Sequence, residues 1–191
     1  MLTNRIIGAF TFRKGVYAEV EQDATFTRTA WILVIVFAFL NQLGSYASDN
    51  FLHWVISTGI GWLTAIIAFA VAAAVVNWVG RAVFNAEVTF DELVRTMGLA
   101  SVWTVVGVLG ALTAFSTALS CLLGPAMIIA WVAMVVAWFV AIHEALDLGW
   151  GQTIITVLVG FIPFAIIMAL TGVVLTLLDL TASGFGDLIG L

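Results

Sequence analysis

Residues 52–80 read LHWVISTGIGWLTAIIAFAVAAAVVNWVG, and no Asp, Glu, Lys or Arg occurs among them. A helix needs roughly 20 mostly apolar residues to cross a bilayer. A charge at the centre of such a helix costs about 2.5–3.5 kcal/mol on insertion scales. A run this long and this free of charge therefore reads as a helix dissolved in lipid. Residues 96–142 and 148–178 are equally free of charged side chains. Strands of a transmembrane barrel would be short and would alternate with period two, whereas these runs are long and continuous.

Working outward from residues 52–80, the sequence predicts an all-α, polytopic integral membrane protein with a five-helix transmembrane bundle. The expected spans are about residues 26–47, 52–78, 94–119, 124–142 and 151–178. Residues 1–25 form a cytoplasmic amphipathic segment in this reading, and residues 179–191 a short external tail. Span one is the weakest, because Asn41 and Gln42 interrupt its apolar part. Only Ile6 to Phe10 separate Arg5 from the polar Thr11 and Arg13, too short for the 7–15 apolar residues of a cleavable signal. The first span is expected to act as an uncleaved signal.

Composition agrees. The chain of 191 residues is 63% hydrophobic and 9% charged, with mean hydropathy +1.19. Soluble domains carry about 25% charged residues, and disordered ones pair low hydrophobicity with high charge. Six basic against eleven acidic residues, formally −5, exclude the basic face of a nucleic-acid binder. The single cysteine, Cys121, forms no internal disulfide or multi-thiolate site.

Orientation follows from the six basic residues. Arg5, Arg13, Lys14 and Arg28 precede or open span one, and Arg81 and Arg95 flank the connection between spans two and three. Five spans put both groups on one side, which the positive-inside rule places in the cytoplasm. Asp49, the Ser120–Gly124 turn, Asp179 and Asp187 then lie outside. The expected location is a cell inner (plasma) membrane, multi-pass, with the N-terminus cytoplasmic and the C-terminus external. Trp31, Trp54, Trp78, Trp138 and Trp150 fall near expected span ends, as interfacial aromatics do. Trp62, Trp103 and Trp131 fall deeper and are expected to pack between helices.

Local signals are mostly structural. Leu2, Ile6 and Phe10, followed by Val16, Tyr17 and Val20, predict one or two short amphipathic helices in the headgroup layer. Thr89-Phe90-Asp91-Glu92 predicts a capping box, with Val88 and Leu93 placed as a staple and Arg95 four residues after Asp91. Gly124-Pro125 is expected to end one helix and open the next. Pro163 predicts a kink in span five. Small residues recur every fourth position at Gly61 and Ala65, Ala68 and Ala72, at Gly110, Ala114 and Ala118, and at Ala133, Ala137 and Ala141. Such rows allow close helix approach, within the bundle or against another subunit.

Reactive constellations are scarce. His143-Glu144-Ala145-Leu146-Asp147 is like a zinc-protease helix motif with Asp147 where the second histidine would stand. The reading favoured is a polar cap closing span four. His53, near Asp49, is read as a solvated interfacial histidine rather than a ligand to a macrocycle-bound metal. Asn41 and Gln42 are expected to hydrogen-bond across helices. The reading therefore names no catalytic, cofactor-binding or metal residues and no cofactor.

Three stretches resemble the Yip domain family, in its bacterial type. They are Val16-Tyr17-Ala18-Glu19-Val20-Glu21-Gln22-Asp23, Thr89 to Gly98 (TFDELVRTMG), and His143-Glu144-Ala145-Leu146-Asp147-Leu148. The resemblance implies five spans and a family known for Rab-interacting members of the early secretory pathway, with many bacterial members of no assigned role. Eukaryotic members carry an Asp-Leu-Tyr-Gly-Pro stretch where this chain has Asp23-Ala24-Thr25-Phe26-Thr27. In their third span Gly-Tyr and a later Pro stand where Gly98-Leu99 and Trp103 stand here.

The function expected is a non-enzymatic scaffold or accessory subunit acting through intramembrane helix packing. One version places it in a larger bioenergetic membrane complex. Expected partners are the lipid bilayer and other membrane subunits or further copies of the chain, met through small-residue helix faces; nucleic acid is not among them. The alternative is a small-molecule or ion transporter or channel, resting on Gly160, Pro163, Asn41 and Gln42.

Overall fold

The computed structural model describes residues 2–48, 50–114 and 116–189, with side chains at 114, 117, 118, 120 and beyond 178 left out. Expectations for Asp49, Asp179, Asp187 and the Ala114 and Ala118 positions lie outside the described residues. Helices α1 (Leu2–Phe10), α2 (Val16–Glu21), α3 (Phe26–Ser45) and α4 (Phe51–Phe84) are followed by α5 (Phe90–Ala100). A 3-10 segment, Ser101–Ala114, continues α5; then come α6 (Thr117–Leu146) and α7 (Trp150–Ile189). Five helices are long and apolar enough to cross a membrane, the third being α5 with its 3-10 continuation, Phe90–Thr113.

The five spans close a ring. α3 packs on α5 and the 3-10 segment, which pack on α6; α6 packs on α7, α7 on α4, and α4 back on α3. Each helix satisfies its own backbone, which is what hydrocarbon demands of a spanning segment. The bulky side chains then divide between interior and lipid. Leu93, Met97, Leu99 and Ile142 are fully buried, whereas Ile128, Leu158, Ile162 and Leu170 are exposed on the outside of the ring.

Small residues set the distances between spans. Ala68, Ala72, Ala137 and Ala141 have no exposed surface, and Gly61 lies under the Tyr46 ring. Gly44 meets the backbone of Gly107 and Gly110 directly. Gly61, Ala68, Ala72, Gly110, Ala137 and Ala141 are thus used within the bundle.

The 3-10 winding of span three was not expected. Runs beyond three or four residues are uncommon, and this one covers Ser101–Ala114. Hydroxyls follow the tighter pitch: Ser101 Oγ donates to the Gly98 carbonyl (2.6 Å), Thr104 Oγ1 to Ser101 (2.7 Å) and Thr113 Oγ1 to Gly110 (2.6 Å). Each reaches three residues back, so the side chains reinforce the i→i+3 register.

Several expectations are corrected. Gly124-Pro125 does not form the turn: α6 begins at Thr117 and Pro125 lies inside it. Membrane helices tolerate such a proline because neighbours re-satisfy the freed carbonyl. α4 runs on to Phe84, past residue 78, and stops where Asn85 takes a left-handed conformation (φ 55°). Trp138 is no interfacial aromatic. It is 6% exposed, with Phe69, Phe161 and Phe164 ring centroids 6.3, 6.4 and 5.4 Å away. Trp131, expected inside, is 57% exposed on the outer face.

Candidate functional site

The three stretches that carried the resemblance come together at one end of the ring. α2 packs against both α5 and α6, and residue contacts there join Thr27 to Arg95, Asn77 to Val88, Gly80 to Leu146 and His143 to Thr153. The capping box forms as expected: the Glu92 amide donates to Thr89 Oγ1 (3.3 Å), and the Thr89 amide to Glu92 Oε2 (2.7 Å). Val88 and Leu93 are buried beside it. Asn77 Nδ2 donates to the Val88 carbonyl (3.3 Å), tying α4 to this start.

Arg95 does not pair with Asp91. It is 7% exposed, its Nη1 donates to Thr27 Oγ1 (3.2 Å), and its Nη2 stands 3.8 Å from Glu92 Oε1. This links the openings of spans one and three. Arg5 Nη1 bonds Asp23 Oδ2 at 2.7 Å, and its guanidinium lies 5.0 Å above the Phe26 ring. The side-chain hydrogen bond from Thr25, then that from Arg5, holds the Asp23 carboxyl below its ordinary range.

Glu21 faces the opposite situation. Burial first, then the nearby charges of Asp147, Glu92 and Glu144, raise its pKa, and Arg95 only partly offsets them. Burial likewise raises the Tyr17 phenol, whose oxygen has no hydrogen-bond partner among the described residues. This end therefore carries charges of both signs: carboxylates crowd around the buried Arg95, and Arg13, Lys14, Arg28 and Arg81 are exposed beside them.

His143 lies in the same region, stacked on Trp150 (centroids 4.0 Å, 22°), with Nδ1 3.2 Å from Thr153 Oγ1. It fastens the end of α6 to the start of α7. Asp147 closes α6 in a left-handed conformation (φ 49°), which short polar side chains tolerate. Among the described residues, no three His, Cys, Asp or Glu gather as metal ligands. His53 sits on the first turn of α4, where its amide donates to the Asn50 cap (3.1 Å) and its Nε2 is 3.3 Å from Ser57 Oγ.

The amphipathic segment docks on protein as well. Trp103 Nε1 donates to the Ala9 carbonyl (3.3 Å), Phe10 meets the indole edge-on at 5.0 Å, and Phe12 stacks on it at 5.6 Å. Val16, Tyr17 and Val20 are buried in the common core.

A second feature, inside the ring, was not read from the sequence. A cavity of about 540 Å³ is lined by all five spans, including Val34, Gln42, Phe69, Thr104, Met134 and Phe164. Asn41 and Gln42 were expected to bond across helices. Instead Asn41 Oδ1 packs on Gly107. Gln42, 2% exposed, lines the cavity, and its side-chain amide has no hydrogen-bond partner among the described residues.

Five apolar spans with an ordered polar end define a multi-pass α-helical membrane protein. Residues 7–174 match the family model of the Yip1 domain, and the chain belongs to that family. The match takes in the end of α1 and most of α7, hence the whole ring. The family is not known for enzymatic activity. No curated protein and no solved structure matches the chain.

Proposed function

We propose that this Yip1-family protein is a non-enzymatic membrane scaffold or accessory subunit with its charged end in the cytoplasm. The observation that carries this reading is the convergence of α2, the start of α5 and the end of α6 on one charged surface around the buried Arg95. Segments remote in sequence build a rigid face outside the hydrocarbon, a form suited to recognition. Within the bilayer Ala68, Ala72, Ala137 and Ala141 are already used inside the ring. Contact with another subunit there falls to bulky outer rows such as Leu158, Ile162, Ile166 and Leu170 of α7. Purification from native membranes in mild detergent tests the proposal. A stoichiometric partner or a defined assembly of copies supports it; a monodisperse lone monomer overturns it.

One observation favours a transport reading, the cavity that all five spans line. Solute flux into reconstituted vesicles, lost on Pro163→Ala, would establish it, and vesicles that stay tight would remove it.

A further inference from the structure

We propose that the cavity lined by the five spans holds one acyl chain of a membrane glycerolipid, with its ester carbonyl accepting a hydrogen bond from the Gln42 amide. The volume, about 540 Å³, falls within the roughly 300–1,000 Å³ of small-molecule sites. The shape is elongated. Val34 and Ser45 both line it, eleven residues apart on α3, which is about 16 Å along a helix axis. The lining is apolar for most of that length, and no charged side chain is part of it. A charged group inside would lack a counter-charge, so the occupant is neutral where it is enclosed.

Gln42 sets the polar position. The residue is 2% exposed and its side-chain amide makes no hydrogen bond among the described residues; the Trp138 indole N–H, further along the same lining, is also buried without a partner. It stands three residues before the end of α3 at Ser45, hence near the edge of the hydrocarbon, the depth of lipid ester carbonyls. The neighbouring hydroxyls are already engaged: Ser45 donates to the Asn41 carbonyl, and Thr104 to Ser101. Access is lateral, because Ile128 and Trp131 line the cavity and are also exposed on the lipid-facing surface. A bilayer chain therefore enters without crossing water. The site is separate from the charged end, and the inference does not depend on the scaffold reading.

The test uses the full-length protein in nanodiscs containing a phospholipid with a diazirine on its acyl chain. After illumination, labelled peptides are located by mass spectrometry. The expected result is labelling enriched around Met127, Met134 and Met168 relative to the outer row of α7. Ala38→Phe, which fills the cavity, should abolish that enrichment and leave the outer-row labelling as an internal control. Gln42→Leu, nearly isosteric, should lower it by about three- to tenfold, the worth of one hydrogen bond. Labelling no denser in the cavity than on the outer row would overturn the proposal. So would cavity labelling unchanged by Gln42→Leu, or a cavity occupied by an isoprenoid quinone or by a protein segment. If Ala38→Phe does not fold, Gln42→Leu still decides.

Discussion

Gly44 of α3 and Gly110 of the 3-10 segment meet backbone to backbone: a Cβ on Gly110 would stand 2.7 Å from the Gly44 carbonyl oxygen and 2.9 Å from its carbon. Neither partner is a flexible side chain, so nothing at this crossing yields. Gly110→Val should therefore separate spans one and three, at a cost of about 1–3 kcal/mol or more. Thermal unfolding in detergent measures this. Gly124→Ala is the control, because nothing lies within 4 Å of a Cβ there, and it should leave the midpoint unchanged or raise it slightly.

The capping box at Thr89 is made in full, so its loss should be felt. Thr89→Ala should cost about 1 kcal/mol. Thr89→Ser keeps the hydroxyl and should keep most of the stability. Hydrogen exchange at the Leu93 and Val94 amides should rise in the alanine variant alone.

Glu21 carries a raised pKa because of burial and the neighbouring carboxylates Asp147, Glu92 and Glu144. The folded state then holds a proton that the unfolded state releases sooner. Stability falls as pH rises from the ordinary carboxylate range through the raised value. Glu21→Gln should stabilise the protein at neutral pH by less than about 1 kcal/mol, since the site is partly solvated. That advantage should shrink as pH falls toward about 4, where the native side chain is also protonated. Unfolding midpoints of both proteins across that range check it.

Trp103 holds α1 to the ring through the Ala9 carbonyl and the Phe10 and Phe12 rings. Trp103→Ala should speed proteolysis after Arg13 and Lys14. In a double-mutant cycle, Phe10→Ala and Trp103→Ala should couple by about 0.5–1.5 kcal/mol.

Lys14 and Arg81 are both exposed, and α2 and the end of α4 lie at one end of the ring. Cysteines placed there in a Cys121→Ser background should react with an impermeant thiol reagent from the same side. Protection of both on intact cells, with reaction after lysis, is expected for a cytoplasmic charged end. Opposite accessibility would break the proposed topology.

Much of this protein was legible one residue at a time. The charge-free runs, the Thr89–Glu92 cap and the short helices at Leu2 and Val16 depend on local hydropathy, periodicity and adjacent hydrogen bonds. Lipid imposes those rules on any chain, whatever its neighbours are. Which face each residue took was another matter. Trp138 turned inward and Trp131 outward because packing around Phe69, Phe161 and Phe164 decides it, and those residues lie far apart in sequence. Arg95 chose Glu92 and Thr27 over Asp91 because the start of α3 was brought beside it. The 3-10 winding of span three, the backbone contact of Gly44 with Gly110, and the cavity that leaves Gln42 unpartnered exist only once five helices close into a ring. Distance along a chain carries no information about such closure, since the free energy that selects it comes from contacts between helices rather than within one.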